Sequence, residues 1–212
     1  MKAPALARLW RGHAWVWPAV LAVTALAAYL RLAGLGAGGF WRDEAQCLFI
    51  AQKSFPAGII EALRHEAHPP LYYALQHFWI PLAGWGEFRI RFLSAALGVA
   101  LAPLAFLAGR RMFGPAAGVA AALAAAVAPL HAAVSQTARM YSLLAVRAVL
   151  STWLVDEAGE RGGAWWAGYA LAAIGTLYTH NWALFLLVAQ NGFVLWDVVR
   201  RREPRRLVPW AA

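Results

Sequence analysis

Residues 89–109, RIRFLSAALGVALAPLAFLAG, open with two arginines and then carry no charge to their end. A helix needs about 20 mostly apolar residues to cross a bilayer core. The stretch therefore reads as a membrane span with cations at one mouth. Five more stretches qualify approximately: 14–33, 115–135, 140–155, 164–180 and 182–199. Of these, 140–155 is short and carries Arg147, an intramembrane charge for which snorkelling or pairing with another span is expected. The fold class expected is all-α, a polytopic membrane protein with about six transmembrane helices.

The composition agrees. Hydrophobic residues make up 62% of the 212, against about 45–50% in soluble domains. Charged residues are only 14%, where about 25% is usual, and the mean hydropathy is +0.53. A soluble enzyme and a disordered chain are excluded, and the lone Cys47 excludes a disulfide scaffold. The net charge of +9 would suit nucleic acid, but in so apolar a chain the enrichment of Lys and Arg in cytoplasmic loops explains it, and no nucleic acid is expected as a partner.

Orientation follows from the cations. With a cytoplasmic N-terminus, that side collects Lys2, Arg8, Arg11, Arg110, Arg111, Arg161, Arg200, Arg201, Arg202, Arg205 and Arg206, which is most of the 19 Lys and Arg. Ala25-Leu26-Ala27 fits a signal-peptide cleavage site, but the apolar run around it exceeds about 15 residues, so an uncleaved anchor is expected. Residues 1–206 read as one domain. Leu207 to Ala212 read as the start of a seventh span, so the chain is expected to be the N-terminal part of a longer protein.

The first outer loop, 34–88, holds the unusual residues. Gly34, Gly36, Gly38 and Gly39 lead into Trp41-Arg42-Asp43-Glu44. Two helices are expected along the membrane surface. One is capped by Ser54, with Pro56 in its first turn and Ile59, Ile60, Leu63 and Ala67 as its apolar stripe. The other runs from Pro69-Pro70 to about Gly84.

Projected onto this topology, polar residues gather at the outer face: Asp43 and Glu44; His68; Arg89 and Arg91; Gln136, Arg139 and Tyr141; Tyr178, His180 and Asn181. Carboxylates, cations and aromatics on one membrane surface suit an anionic lipid headgroup. A carboxylate can take a hydroxyl proton from an acceptor, while arginine and imidazolium can hold a departing phosphate.

In order along roughly residues 20–190, these motifs resemble the membrane-embedded GT-C glycosyltransferases. The nearest branch contains protein O-mannosyltransferases, lipid A aminoarabinose transferases and rhizobial lipopolysaccharide-core transferases. The matching stretches are Trp41-Arg42-Asp43-Glu44-Ala45, His68-Pro69-Pro70-Leu71-Tyr72-Tyr73, the run from Arg89 to Gly98, the run from Gln136 to Leu144, and Tyr178-Thr179-His180-Asn181. The resemblance implies transfer of a sugar, with inversion, from a polyprenyl-phosphate donor to a glycan, lipid or protein acceptor, on the outer face of a bacterial inner membrane. It also implies roles. Asp43 falls on the catalytic-base position, with Glu44 beside it as a catalytic residue supporting geometry or a cation; His68, Arg139, Tyr141 and Arg91 lie toward the donor phosphate; Tyr178, His180 and Asn181 fall on a less defined outer-loop motif. No cofactor or metal is expected, since Asp43, Glu44 and His68 form no recognised ligand set. Members of the branch are usually two or more times longer. A non-catalytic subunit that binds polyprenyl phosphate or phospholipid is the alternative. A small transporter ranks last, because it calls for broken helices and ionisable groups at mid-membrane depth.

Overall fold

The computed structural model describes residues 14–64, 66 and 68–201, and every regular element among them is a helix. Expectations for the basic N-terminus, for Ala67, and for the seventh span lie outside the described residues. In chain order the helices are α1 (Val16–Leu32), α2 (Arg42–Ala51), α3 (Ala57–Leu63), α4 (Leu71–Ala83), α5 (Glu87–Phe113), α6 (Pro115–Val127), α7 (Pro129–Ser135), α8 (Tyr141–Arg161), α9 (Ala164–Leu177) and α10 (Ala183–Arg201).

Two of these helices, α5 and α10, are long and apolar enough to cross a membrane, and α6 with α7 makes a third if the bent pair counts as one span. That is fewer than the six expected, and the reasons are local. Helix α1 has 17 residues and α9 only 14. Helix α8 is long enough, but its last turns carry Asp156, Glu157, Glu160 and Arg161 in addition to Arg147. The stretch 115–135 is interrupted at Pro129, which has no N–H to continue the ladder, and its two halves meet at 58°.

Helix α5 is the centre of the bundle, packing on α1, α6 and α8, while α8 carries α9 and α10. Helices α5 and α6 touch backbone to backbone. A Cβ on Gly118 would lie 2.7 Å from the Phe106 carbonyl oxygen and 2.8 Å from the Arg110 nitrogen, the close approach that small residues permit between membrane helices. The far end of the bundle is tied by Glu157, which is buried, accepts from Arg111 Nε at 2.6 Å and forms an ion pair with Arg161, Nε to Oε2 at 2.6 Å. Arg147 pairs with another helix, donating to the Leu171 carbonyl at 3.3 Å, and lies over Gly175, where any side chain would collide with it.

The segment 34–88 folds into three helices, not two, because Trp41-Arg42-Asp43-Glu44 opens α2 instead of remaining loop. Ser54 makes no side-chain cap, and Pro56 precedes the first helical residue of α3. Nor do Ile59 and Ile60 share one apolar stripe. Ile59 is buried with Cys47, Ile50, Tyr72, Tyr73 and Met140, whereas Ile60 is exposed. That cluster is the floor on which the polar end of the bundle stands.

Candidate active site

The polar end is built on one buried ion pair. After α1 the chain curls through Gly34 (φ +71) and Gly38 (φ +78), left-handed conformations natural to glycine, so that several carbonyls point at Arg91 on α5. Arg91 Nη1 donates to Leu35, Ala37 and Gly38 at 3.2–3.4 Å, and Nη2 donates to Gly39 at 2.9 Å. Its Nε and the second Nη2 proton go to the two Glu44 oxygens, both at 2.9 Å. All five N–H groups are thus spent inside the fold. Glu44 also accepts from Ala138 N at 2.7 Å and Trp41 N at 3.0 Å. Burial works to raise its carboxyl pKa, but the hydrogen bonds from Arg91, Trp41 and Ala138 outweigh it and hold the group below the usual carboxylate range.

Asp43 behaves oppositely. Adjacent residues on a helix point about 100° apart, so with Glu44 turned inward the Asp43 side chain stays exposed. It lines a cavity of about 220 Å³ with Trp41, Arg42, Thr137, Arg139 and Tyr141. Only its backbone carbonyl is engaged, by Arg139 Nη1 at 3.1 Å.

A polar chain holds Arg139 in place; Tyr72 and Ser94 fall in the matching stretches without a role assigned to them, and Gln76 was not singled out from the sequence. Ser94 Oγ donates to the Arg139 carbonyl at 2.9 Å, so it accepts from the Tyr72 hydroxyl at 2.6 Å, which in turn accepts from Gln76 Nε2 at 2.9 Å. Gln136 secures the same segment to the end of α1 through the Leu30 and Ala33 carbonyls. Arg139 is 8% exposed, and its Nε meets no hydrogen-bond partner among the described residues.

His68 and His180 come from distant parts of the chain and face each other, ring centroids 4.9 Å apart, with Tyr141 6.0 Å from His180. Leu71 N clips this junction by donating to the Tyr178 carbonyl at 2.9 Å. His180 Nδ1 accepts from Trp182 N, so its neutral ring carries the proton on Nε2. Burial lowers the pKa of both rings; Arg139 lowers both further, and His68 adds to the effect on His180, whereas Glu66 and Asp43 oppose it at His68. His68, His180, Tyr141 and Trp182 line a second, mostly apolar cavity of about 620 Å³, which shares Val134 and Tyr141 with the Asp43 cavity. Tyr178 and Asn181 line neither: both side chains are exposed, and Tyr178 contributes its carbonyl.

The histidine shifts set a pH dependence. Because the folded pKa values are lowered, the unfolded chain binds more protons below its own histidine pKa of about 6.5. Stability is therefore intact above that pH and falls as pH drops from there through the folded values. Thermal unfolding in detergent should show a lower Tm at pH 5.5 than at 7.5, with the difference reduced in His180→Gln.

Residues 67–212 match the family model described as dolichyl-phosphate-mannose-protein mannosyltransferase. The chain belongs to this family. Its members are membrane glycosyltransferases of the mannosyltransferase type, and the all-helical bundle with apolar spans fits such a protein. The matched region holds His68, Arg91, Arg139, Tyr141 and His180, while Asp43 and Glu44 lie upstream and are joined to it through Arg91, Ala138 and Arg139. No curated protein sequence matches the chain.

Proposed function

We propose that this mannosyltransferase-family chain transfers a sugar, with inversion, from a polyprenyl-phosphate donor to a hydroxyl-bearing acceptor on the outer face of a bacterial inner membrane. One observation carries the proposal. A cavity with Asp43, Arg42 and Arg139 among its lining residues shares Val134 and Tyr141 with a larger apolar cavity lined by His68 and His180. The larger cavity suits the first isoprenoid units and the smaller one, with Arg42, Asp43 and Arg139 at its walls, suits the sugar, so the phosphate falls between them beside Tyr141.

In the reaction the Asp43 carboxylate takes the proton of the acceptor hydroxyl as its oxygen bonds to the anomeric carbon. The bond from that carbon to the phosphate oxygen breaks, and the polyprenyl phosphate departs with the electron pair. Arg139, with its Nε unused, and the Tyr141 hydroxyl stabilise the charge that builds on the leaving oxygen. Glu44, expected to support Asp43, and Arg91, expected at the donor phosphate, both act as positioning residues here, because their hydrogen-bonding groups are committed to each other and to the loop. The break at Pro129 is a feature a transporter would need, but it lies beside the wall of this cavity, among residues that line it.

The test is transfer of labelled sugar from a panel of polyprenyl-phosphate sugars in proteoliposomes. Arg139→Ala should lower transfer by about 100-fold or more, and Arg139→Lys should recover part of it. Donor binding without turnover in the native chain would favour the lipid-binding subunit.

A further inference from the structure

Arg31 and His131 have no part in the chemistry above, yet they form the least expected polar contact in the molecule. Arg31 is 0% exposed near the end of α1 and makes no ion pair among the described residues. Its place is explained by the break between α6 and α7. Pro129 has no N–H for the Ala125 carbonyl, and the 58° bend draws the following turn away from Ala126. Arg31 supplies the missing donors, Nη2 to Ala125 at 2.8 Å and Nη1 to Ala126 at 2.9 Å, with Nη1 also reaching Ala27 at 3.2 Å. One contact remains: Arg31 Nη2 lies 2.9 Å from His131 Nδ1.

A guanidinium only donates. His131 Nδ1 is therefore the acceptor, and the ring proton sits on Nε2. That nitrogen is enclosed and has no hydrogen-bond partner among the described residues, although buried polar groups are nearly always satisfied. His131 lines the same 620 Å³ cavity as His68, His180 and Tyr141.

We propose that His131, fixed by Arg31 as the Nε2–H tautomer, donates a hydrogen bond to an anionic phosphate oxygen of the lipid held in this cavity. Arg31 is the positioning residue, and its charge behind the ring favours an anion in front of it. The inference rests on the donor reading given above, in which the lipid lies in the larger cavity with its phosphate at the end lined by Tyr141.

The experiment measures equilibrium binding of polyprenyl monophosphate to the chain in nanodiscs, with phosphatidylglycerol as a second arm, and the imidazole ¹⁵N spectrum of His131. His131→Asn keeps an acceptor for Arg31 but removes the distal donor, and should weaken polyprenyl phosphate binding by about tenfold or more. His131→Gln places an amide N–H near the former Nε2 and should lose less. The ¹⁵N spectrum should show Nδ1 unprotonated in the native chain and a mixture of tautomers in Arg31→Lys. Weakening toward both lipids assigns the contact to the phosphate as such; weakening toward polyprenyl phosphate alone assigns it to the donor lipid. Unchanged affinity in His131→Asn, or a protonated Nδ1 in the native spectrum, overturns the proposal. If Arg139→Ala weakens binding and His131→Asn does not, the donor reading stands and the His131 contact falls. If the native chain binds neither lipid, both fall.

Discussion

Replacing Asp43 with asparagine is expected to lower sugar transfer by about 100- to 10,000-fold, the contribution of a positioned general base, while donor binding persists. The substitution removes a charge and little else. Asp43 is exposed on the wall of the smaller cavity, and its carbonyl, the only atom gripped by Arg139, is unchanged. Initial rates in proteoliposomes, paired with binding of the polyprenyl-phosphate sugar, separate the two effects. Undiminished turnover in Asp43→Asn would remove the base from the mechanism and leave Arg139 and Tyr141 as a binding site.

The second large effect is on the fold. Glu44→Gln or Glu44→Ala leaves Arg91 buried without its counter-charge, and breaking such a pair costs about 3–5 kcal/mol. With the two side chains only 4% and 1% exposed, solvent offers Arg91 little compensation. The expected results are a large fall in thermal stability in detergent and loss of donor binding together, because the same carboxylate holds the N–H of Ala138 beside Arg139. Arg91→Lys should recover little, since an ammonium cannot serve Glu44 bidentately and four carbonyls as well. A Glu44→Gln chain as stable as the native one would show that the pair is dispensable.

That Asp43, Glu44, Arg91 and Arg139 gather at one end of the bundle was legible in the sequence; how they are turned toward one another was not. Asp43 and Glu44 are adjacent acids of similar chemistry, and the sequence shows no reason to turn one inward. The decision comes from Arg91, 47 positions away, and from the glycine turns that aim carbonyls at it. His68 and His180 were each visible beside their prolines or asparagine, but their approach to 4.9 Å joins distant segments that Leu71 and Tyr178 clip together. Hydropathy located α5 and α10 well because their apolar runs are continuous. It overstated the rest, since one proline breaks 115–135 and the charges at the end of α8 extend a helix without extending its apolar length. Arg31 and His131 escaped notice for a related reason: the only clue was an arginine late in an apolar run, and its meaning depends on carbonyls released by a proline about a hundred residues later.

The reach of Glu44 also has a bearing on biogenesis. Its carboxylate is completed by groups from Trp41, Arg91 and Ala138, which leave the ribosome at widely separated times. During synthesis the acid must remain hydrated, or borrow a temporary partner, until the segment after α7 is delivered. Interrupted translation before residue 138 would thus yield a chain with apolar helices to insert but with the Glu44 carboxylate short of one of its partners.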